Sequence, residues 1–273
     1  MIDMNYGCGT TVNPRDLINN PTVLYVGVGG GMELLQFAYF SRKNSGVIGI
    51  DIVDEMIESA NKNISEAEIQ NKWFSKDIID IKKGNALSLP IEDSSVDVAA
   101  QNCLFNIFKT KELKVALNEM HRVLKKNGKL VMSDPVCEQK INSTLKNDNR
   151  LRAACLTGAI PINEYINLIS DIGFGTIEIR AKRPYRVLNK NRYPTKENIF
   201  IESIEVCAIK DPMPEDGPCV FTGRTAIYYG NKKYFDDGKG HVMLQNQPLP
   251  ICDKTASNLT KLKKSDLFIS CLL

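Results

Sequence analysis

Two sets of residues in this chain have types and spacing that do chemistry. The first is a glycine cluster. Val23-Leu24-Tyr25-Val26 is a short apolar run that breaks into Gly27, Gly29 and Gly31, with Gly30 between the last two. A β-rich run that stops at G-x-G-x-G, before a helical pattern from Met32, reads as strand, tight turn and helix. Glycine permits the positive φ such a turn needs and lets a ligand touch the backbone. The next apolar run, Gly46 to Ile50, ends in Asp51, about twenty residues past the glycines, where a carboxylate accepts both ribose hydroxyls of a nucleoside. The second set is the eight cysteines. None forms a C-x-x-C pair, which argues against a zinc ribbon or a thioredoxin-type motif. A soft, thiophilic substrate is held by several thiolates at once. Cys155 precedes a small-residue turn, Leu156-Thr157-Gly158-Ala159; Cys8 lies between two glycines; Cys219 follows an acidic Pro-Gly stretch that can fold back. Cys207 is a weaker candidate, and Cys103 shares a turn with Asn102.

The elements that must position these residues follow from hydrophobic periodicity. Strand 1 is Val23–Val26 and strand 2 ends at Asp51. Residues 53–70 read as a helix, with Met56, Ile57, Ala60, Ile64 and Ala67 at helical spacing. Strand 3 is expected over 78–83, and Asn85 and Ala86 after it fall where an adenine lies in a doubly wound sheet. Strand 4 is expected over 96–100, opening into Asn102. A helix over 111–125 capped by Asn127-Gly128, strand 5 over 129–133 closed by Asp134-Pro135, a helix over 161–172, strand 6 over 176–180, a basic loop over 182–196 and strand 7 over 200–209 complete the pattern. The fold class this predicts is α/β, a doubly wound parallel sheet with its site at the carboxyl edge. The Pro-rich stretch 211–218 divides residues 1–211 from a small α+β domain, 212–273, expected to cover the substrate site.

Composition narrows the class. Apolar content of 43% and charged content of 25% describe an ordinary soluble globule, and a net charge of +3 is too mild to argue for nucleic-acid or membrane partners. No run approaches the roughly 18 apolar residues of a membrane span. The first ten residues carry no signal-peptide pattern, so the expected setting is the reducing cytoplasm, with the cysteines as free thiols. Enzymes that methylate exocyclic base amines carry an Asp/Asn-Pro-Pro-aromatic run after strand 4, and here that position reads Asn102-Cys103-Leu104-Phe105. His121 sits in a helix away from the carboxyl edge, and His241 lies in the tail.

The G-x-G-x-G spacing resembles that of class I S-adenosylmethionine methyltransferases. YGCG near the N-terminus, QNCLFNIF after strand 4, SDP after strand 5 and CLTGA together look like the arsenite S-adenosylmethionine methyltransferases. EDGPCVFTGRTAIYYG and the tail beyond it look like the arsenosugar-biosynthesis branch. The resemblance implies a class I methyltransferase-type (Rossmann-like) fold with S-adenosylmethionine as cofactor. Its substrate is trivalent arsenic, as arsenite or a thiol adduct, held by cysteine thiolates, with a small-molecule thiol as reductant. It implies that Tyr25, Gly27, Gly29, Gly31, Asp51, Ile52, Met56, Asn85, Ala86 and Asn102 hold the donor. YGCG carries one family cysteine to Cys8 and CLTGA another to Cys155. The family's acidic residue at the head of the glycine motif is Tyr25 here, and its cysteine before strand 7 is missing, so Cys219 is taken as the third ligand, with Cys252 in reserve. A methyltransferase for a small organic acceptor, or a non-catalytic metalloid binder on the same fold, are the alternatives.

Overall fold

A computed structural model of the protein describes residues 8–270. The β-rich runs pair as strands β1 (Val23–Val26), β2 (Val47–Asp51), β3 (Ile79–Lys83), β4 (Val96–Asn102) and β5 (Leu124–Cys137), all parallel in the order β3-β2-β1-β4-β5. Helix α1 (Met32–Ser41) links β1 to β2 and α2 (Asp54–Gln70) links β2 to β3. No helix separates β3 from β4, and α3 (Thr110–Val123) links β4 to β5. Strand order reverses between β2 and β4, on either side of β1. In doubly wound sheets, ligands bind in the crevice outside the carboxyl ends of the strands at such a point.

The chain then makes short helices α4 (Ser143–Lys146) and α5 (Asn149–Ala153), the two-residue β6 (Ile160–Pro161) and α6 (Ile162–Ile172). Strands β7 (Thr176–Leu188) and β8 (Ile199–Ile209) follow, and β8 inserts antiparallel between β5 and β7. The sheet is therefore mixed, parallel from β3 to β5 and antiparallel beyond. The helices form layers on both faces. One core packs Leu113, Leu117 and Met120 of α3 and Ile169 of α6 against Leu24, Leu130 and Val206; the other packs Leu34 and Phe37 of α1 and Ile64 of α2 against Val23, Val98 and Val131.

Several boundaries differ from expectation. The basic stretch after Arg180 is strand, because β7 stays paired to β8 as far as Leu188. β5 begins at Leu124, directly after α3, so Asn127-Gly128 lies inside the strand rather than capping the helix. It also continues through Pro135 to Cys137, since β8 pairs with it along that whole length.

Beyond Ile209 the chain returns to the sheet once. β9 (Cys219–Phe221) adds to the outer edge of β7, parallel to its first residues. Strands β10 (Thr225–Tyr228), β13 (Pro248–Pro250) and β14 (Leu267–Ile269) make a small sheet, β11 (Tyr234–Asp236) and β12 (Val242–Leu244) a hairpin, and α7 (Asp253–Lys261) packs on β9. Their core, with Ala226, Met243, Ile251 and Leu259, is separate from the two that flank the main sheet. Among the described residues, no helix is long and apolar enough to cross a membrane.

The pairings Cys219–Thr176, Thr176–Ile209 and Ile209–Lys129 place the tail's attachment level with the start of the shared β4–β5 ladder, opposite the crevice. β9 therefore docks at the end of the strands away from the glycine turn. Because the tail has its own core, a chain ending at Asp211 is expected to keep its secondary structure and bind S-adenosylmethionine within about threefold of the full chain. Circular dichroism and calorimetric titration check this; loss of cooperative unfolding would show that β9 is integral to the main sheet.

Candidate functional site

The glycine turn has the geometry a nucleoside-bearing donor requires. Gly27, Gly29 and Gly31 have φ of +82°, +50° and +81°, and a Cβ built on Gly29 meets nothing within 4 Å. Gly31 is the N-cap of α1, so that helix's first N–H groups point toward the turn. Gly27 N–H bonds Ile50 O (2.8 Å), which holds the turn against the end of β2. There Asp51 Oδ1 accepts the N–H of Val53 (3.0 Å), an Asx turn that fixes the carboxylate beside the crevice. Ile52 next to it is 57% exposed, an apolar surface suited to a base, while Met56 and Ala86 are half-buried and Asn85 is exposed. Asn85 Oδ1 accepts the Leu87 N–H (2.9 Å), which orders the loop after β3.

Tyr25 plays a different part from the one its position predicts. It is buried, and its phenol donates to Oε2 of Glu33 in the first turn of α1. Burial raises its pKa, and the charges of Glu33, Asp134 and Asp51 raise it further. The phenol is thus a neutral donor to Glu33. The acid missing from the end of β1 arrives from α1 instead. Glu33 Oε1 also accepts the N–H and hydroxyl of Thr11 (both 2.9 Å), and Oε2 accepts Asn102 Nδ2 (3.2 Å). Asn102 Nδ2 further donates to Gly9 O (3.0 Å), so the residue expected beside the sulfonium also anchors the lead-in.

The lead-in brings Cys8 to the carboxyl edge. Cys8 O accepts hydroxyls of Ser133 (2.8 Å) and Ser203, and Cys103 N–H bonds Ser133 O (2.8 Å). Cys8, Cys103 and Cys155 form one buried group with Tyr185 packed against it, and Cys155 Sγ donates to Cys103 O (3.3 Å). Cys8 and Cys103 are joined as a disulfide, with Cα atoms 6.4 Å apart, so these two are not the free thiols expected. Cys103 and Cys155 have φ of +61° and +55°, a region costly to residues with a Cβ and frequent at functional sites. Burial, with Asp134 nearby, pushes the Cys155 thiol up to about 12, so the unligated residue is protonated.

Of the three expected thiol ligands, the structure brings together Cys8 and Cys155 but not Cys219. In β-register Cys219 lies three strands across from β5 and four residues (129 to 133) back from Ser133, on the order of 20 Å away. Cys103, directly after Asn102, is the third cysteine of that buried group. Cys137 and Cys207 are core thiols, pushed up by burial to about 11 and about 12. Cys271 lies outside the described residues.

Beneath this group sits Asp134, buried, with Oδ2 accepting Tyr165 OH (2.6 Å) and Gln101 Nε2. Its Oδ1, the Oδ1 of Asn106 and the hydroxyl of Thr157 are buried without partners. Burial outweighs the hydrogen bonds and raises Asp134 to about 7.

The comparisons agree with this geometry. Residues 18–195 match the family described as a methyltransferase domain. The arsenite methyltransferase of Aquipseudomonas alcaligenes is 30% identical over 67% of this chain and 51% of its own, and that of Halobacterium salinarum 27% identical over 66% and 44%. The chain thus spans about half the length of the curated relatives it matches. The crystal structure of an arsenic(III) S-adenosylmethionine methyltransferase from Chlamydomonas reinhardtii superposes with a TM-score of 0.66 over 98% of this chain and 90% of that one, at 20% identity. The fold is that of the class I S-adenosylmethionine methyltransferases. The chain belongs to the methyltransferase-domain family, and S-adenosylmethionine is its cofactor.

Two outcomes follow. Asp51→Ala is expected to weaken S-adenosylmethionine binding by about 1.5–3 kcal/mol, the loss of charge-assisted hydrogen bonds, measured by fluorescence titration; unchanged affinity would misplace the ribose. Asp134 holds a proton in the folded chain that the unfolded chain releases above the ordinary 3.8. Its contribution therefore falls as pH rises from about 4 to 7, by at most about 4 kcal/mol. Asp134→Asn should flatten that fall in thermal-melt midpoints, and an unaltered pH slope would place the raised carboxyl elsewhere.

Proposed function

We propose that this chain transfers a methyl group to trivalent arsenic held by the thiolates of Cys8, Cys103 and Cys155. The observation that carries the reading is the convergence of these cysteines, from three separate elements, at the edge where the glycine turn and Asp51 form the donor crevice. Asn102 links the two directly: its side chain bonds Glu33 of the donor side, and its neighbour in sequence is Cys103. The glycine turn accommodates the methionine end of the donor, Asp51 the ribose, and Ile52, Met56, Asn85 and Ala86 the base. The carboxylates around Tyr25 give the crevice a negative field suited to a cationic donor. Bound S-adenosylmethionine supplies an electrophilic methyl group that needs no acid–base activation.

What remains for the protein is to orient a nucleophile and exclude water. Trivalent arsenic on three sulfurs is pyramidal, with its lone pair on the open side, and soft thiolates suit it. Loading forms each S–As bond as a thiol proton leaves with an arsenic hydroxyl, as water. This suits a site whose free thiol is protonated. The Cys8–Cys103 disulfide must first be opened: two molecules of a small thiol are oxidised to their disulfide as the two cysteines are reduced. An open cleft of about 590 Å³ lined by Ala154, Leu156, Tyr185, Arg186 and Arg192 lies beside Cys155 and gives a thiol adduct of arsenite a way in. That cleft is also what favours the second reading, a small anionic organic acceptor.

Cys155→Ser and Cys103→Ser are expected to abolish arsenite methylation while leaving S-adenosylmethionine affinity within about twofold, because serine is a hard, protonated ligand. Cys219→Ser and Cys137→Ser should keep most of the activity. Initial rates by arsenic speciation in the presence of glutathione, with donor titration in parallel, decide this. Near-normal turnover in Cys155→Ser would move the reading to an organic acceptor.

A further inference from the structure

The tail carries a second pair of cysteines with its own proton path. Cys219 on β9 and Cys252 at the N-cap of α7 are brought together because α7 packs on β9 and the residues after Cys252 bond to Thr222 and Asp216 on either side of Cys219. Cys252 is buried and Cys219 is half-buried, so an outside reagent meets Cys219 first. Cys252 Sγ lies 3.3 Å from Thr255 Oγ1, one turn along the helix, and Thr255 Oγ1 lies 3.2 Å from Nε2 of His241. Nδ1 of His241 is 2.7 Å from Oδ2 of Asp237. The backbone N–H and side chain of His241, with the N–H of Lys239, lower the Asp237 pKa against the effect of its own burial. An ionised carboxylate there places the imidazole proton on Nδ1 and leaves Nε2 as an acceptor. The chain of contacts is therefore polarised: the Cys252 thiol donates to Thr255, and Thr255 donates to a base oriented by an acid.

The pair is also held in place from both sides. Asp253, next to Cys252, is gripped by Thr222 (2.6 Å) and Arg224 (3.3 Å) just past Cys219. Lys254 is gripped by Asp216 (2.5 Å) and Gly217 O (2.7 Å) just before Cys219. A structural thiol in a core needs none of this.

We propose that Cys219 and Cys252 are a redox-active dithiol that exchanges with small-molecule thiols and disulfides, with Thr255 and His241 moving the proton of Cys252. In the oxidising direction Cys219 gives its proton to water, its thiolate attacks an external disulfide and forms a mixed disulfide, and the external thiolate released takes up a proton from water. The Cys252 proton passes through Thr255 to His241, Cys252 attacks the Cys219 sulfur, and the second external thiolate leaves. Two electrons move from the dithiol to the external disulfide, which becomes two thiols. In reverse, a thiol attacks the more exposed Cys219 and Cys252 is expelled as the thiolate. Because the pair lies on the order of 20 Å from Cys155, this activity stands apart from the proposed arsenic site.

The test uses the full chain, equilibrated over a range of glutathione and glutathione-disulfide ratios, acid-quenched, alkylated and mapped by peptide mass spectrometry. A linked Cys219–Cys252 peptide should appear and vanish reversibly with the ratio, scored separately from Cys8–Cys103. Cys252→Ser should trap a glutathione adduct on Cys219. His241→Gln should slow oxidation and reduction alike by at least about tenfold without moving the midpoint, as expected of a base. Thr255→Val should slow both as well, and Thr255→Ser should restore the rate, which loss of packing alone would not predict. A Cys219–Cys252 link absent at every ratio, or rates indifferent to His241→Gln and Thr255→Val in folded protein, overturns the proposal.

Discussion

One buried carboxylate holds the functional edge of this protein together. Glu33 lies in the first turn of α1, where the helix field favours a negative charge, and receives hydrogen bonds from Thr11, Tyr25 and Asn102. Those residues belong to the lead-in, to β1 and to the end of β4. An unpaired buried carboxylate is costly, so each donor is drawn to it, and each draws its own segment along. Thr11 brings Cys8 within reach of Ser133 and Ser203. Asn102 sets the turn that carries Cys103. Tyr25 closes the floor of the glycine turn. Glu33 thereby ties the lead-in, β1 and the end of β4 to one another.

That dependence explains what could be read in advance. The glycines, the strand before them and Asp51 are local signals: a positive φ, a β-rich run and an acid at a strand end each act within a few residues. The parallel half of the sheet followed from them. Cys155 and Cys8 were legible through the family motifs they sit in. That Cys103 lies beside Cys155 while Cys219 lies far from it was not legible, because strand register, which decides which end of a sheet a residue meets, is a property of pairings between distant segments. Glu33 was invisible for the same reason. It reads as the polar side of an amphipathic helix, and its partner Thr11 is 22 residues away. The basic stretch after Arg180 looked like a loop because charged residues are depleted in strands on average. Here Lys182 and Arg183 pair with Glu202 and Glu205 on β8, and the cross-strand charges make the strand.

Electrostatics at the site follow from the same geometry. Asp51, Glu33 and Asp134 all act on the Tyr25 phenol, so the crevice concentrates negative charge where burial amplifies it. Asp134, whose Oδ1 has no partner, takes up a proton near neutrality and so moderates that field.

The outer edge of β7 has a consequence of a different kind. β9 covers only Thr176 to Glu178, and among the described residues no other strand pairs on that side as far as Leu188. A bare strand edge of such length is a template on which a second copy of the chain can add and start a fibre. Lys182, Arg183 and Arg186 lie along it, and Pro184 interrupts its row of donors. Charged side chains and a proline on such an edge disfavour pairing with another copy. The stretch that looked like a loop for its charge is therefore a guard against self-assembly, and neutralising it would be felt first as lost solubility rather than lost activity.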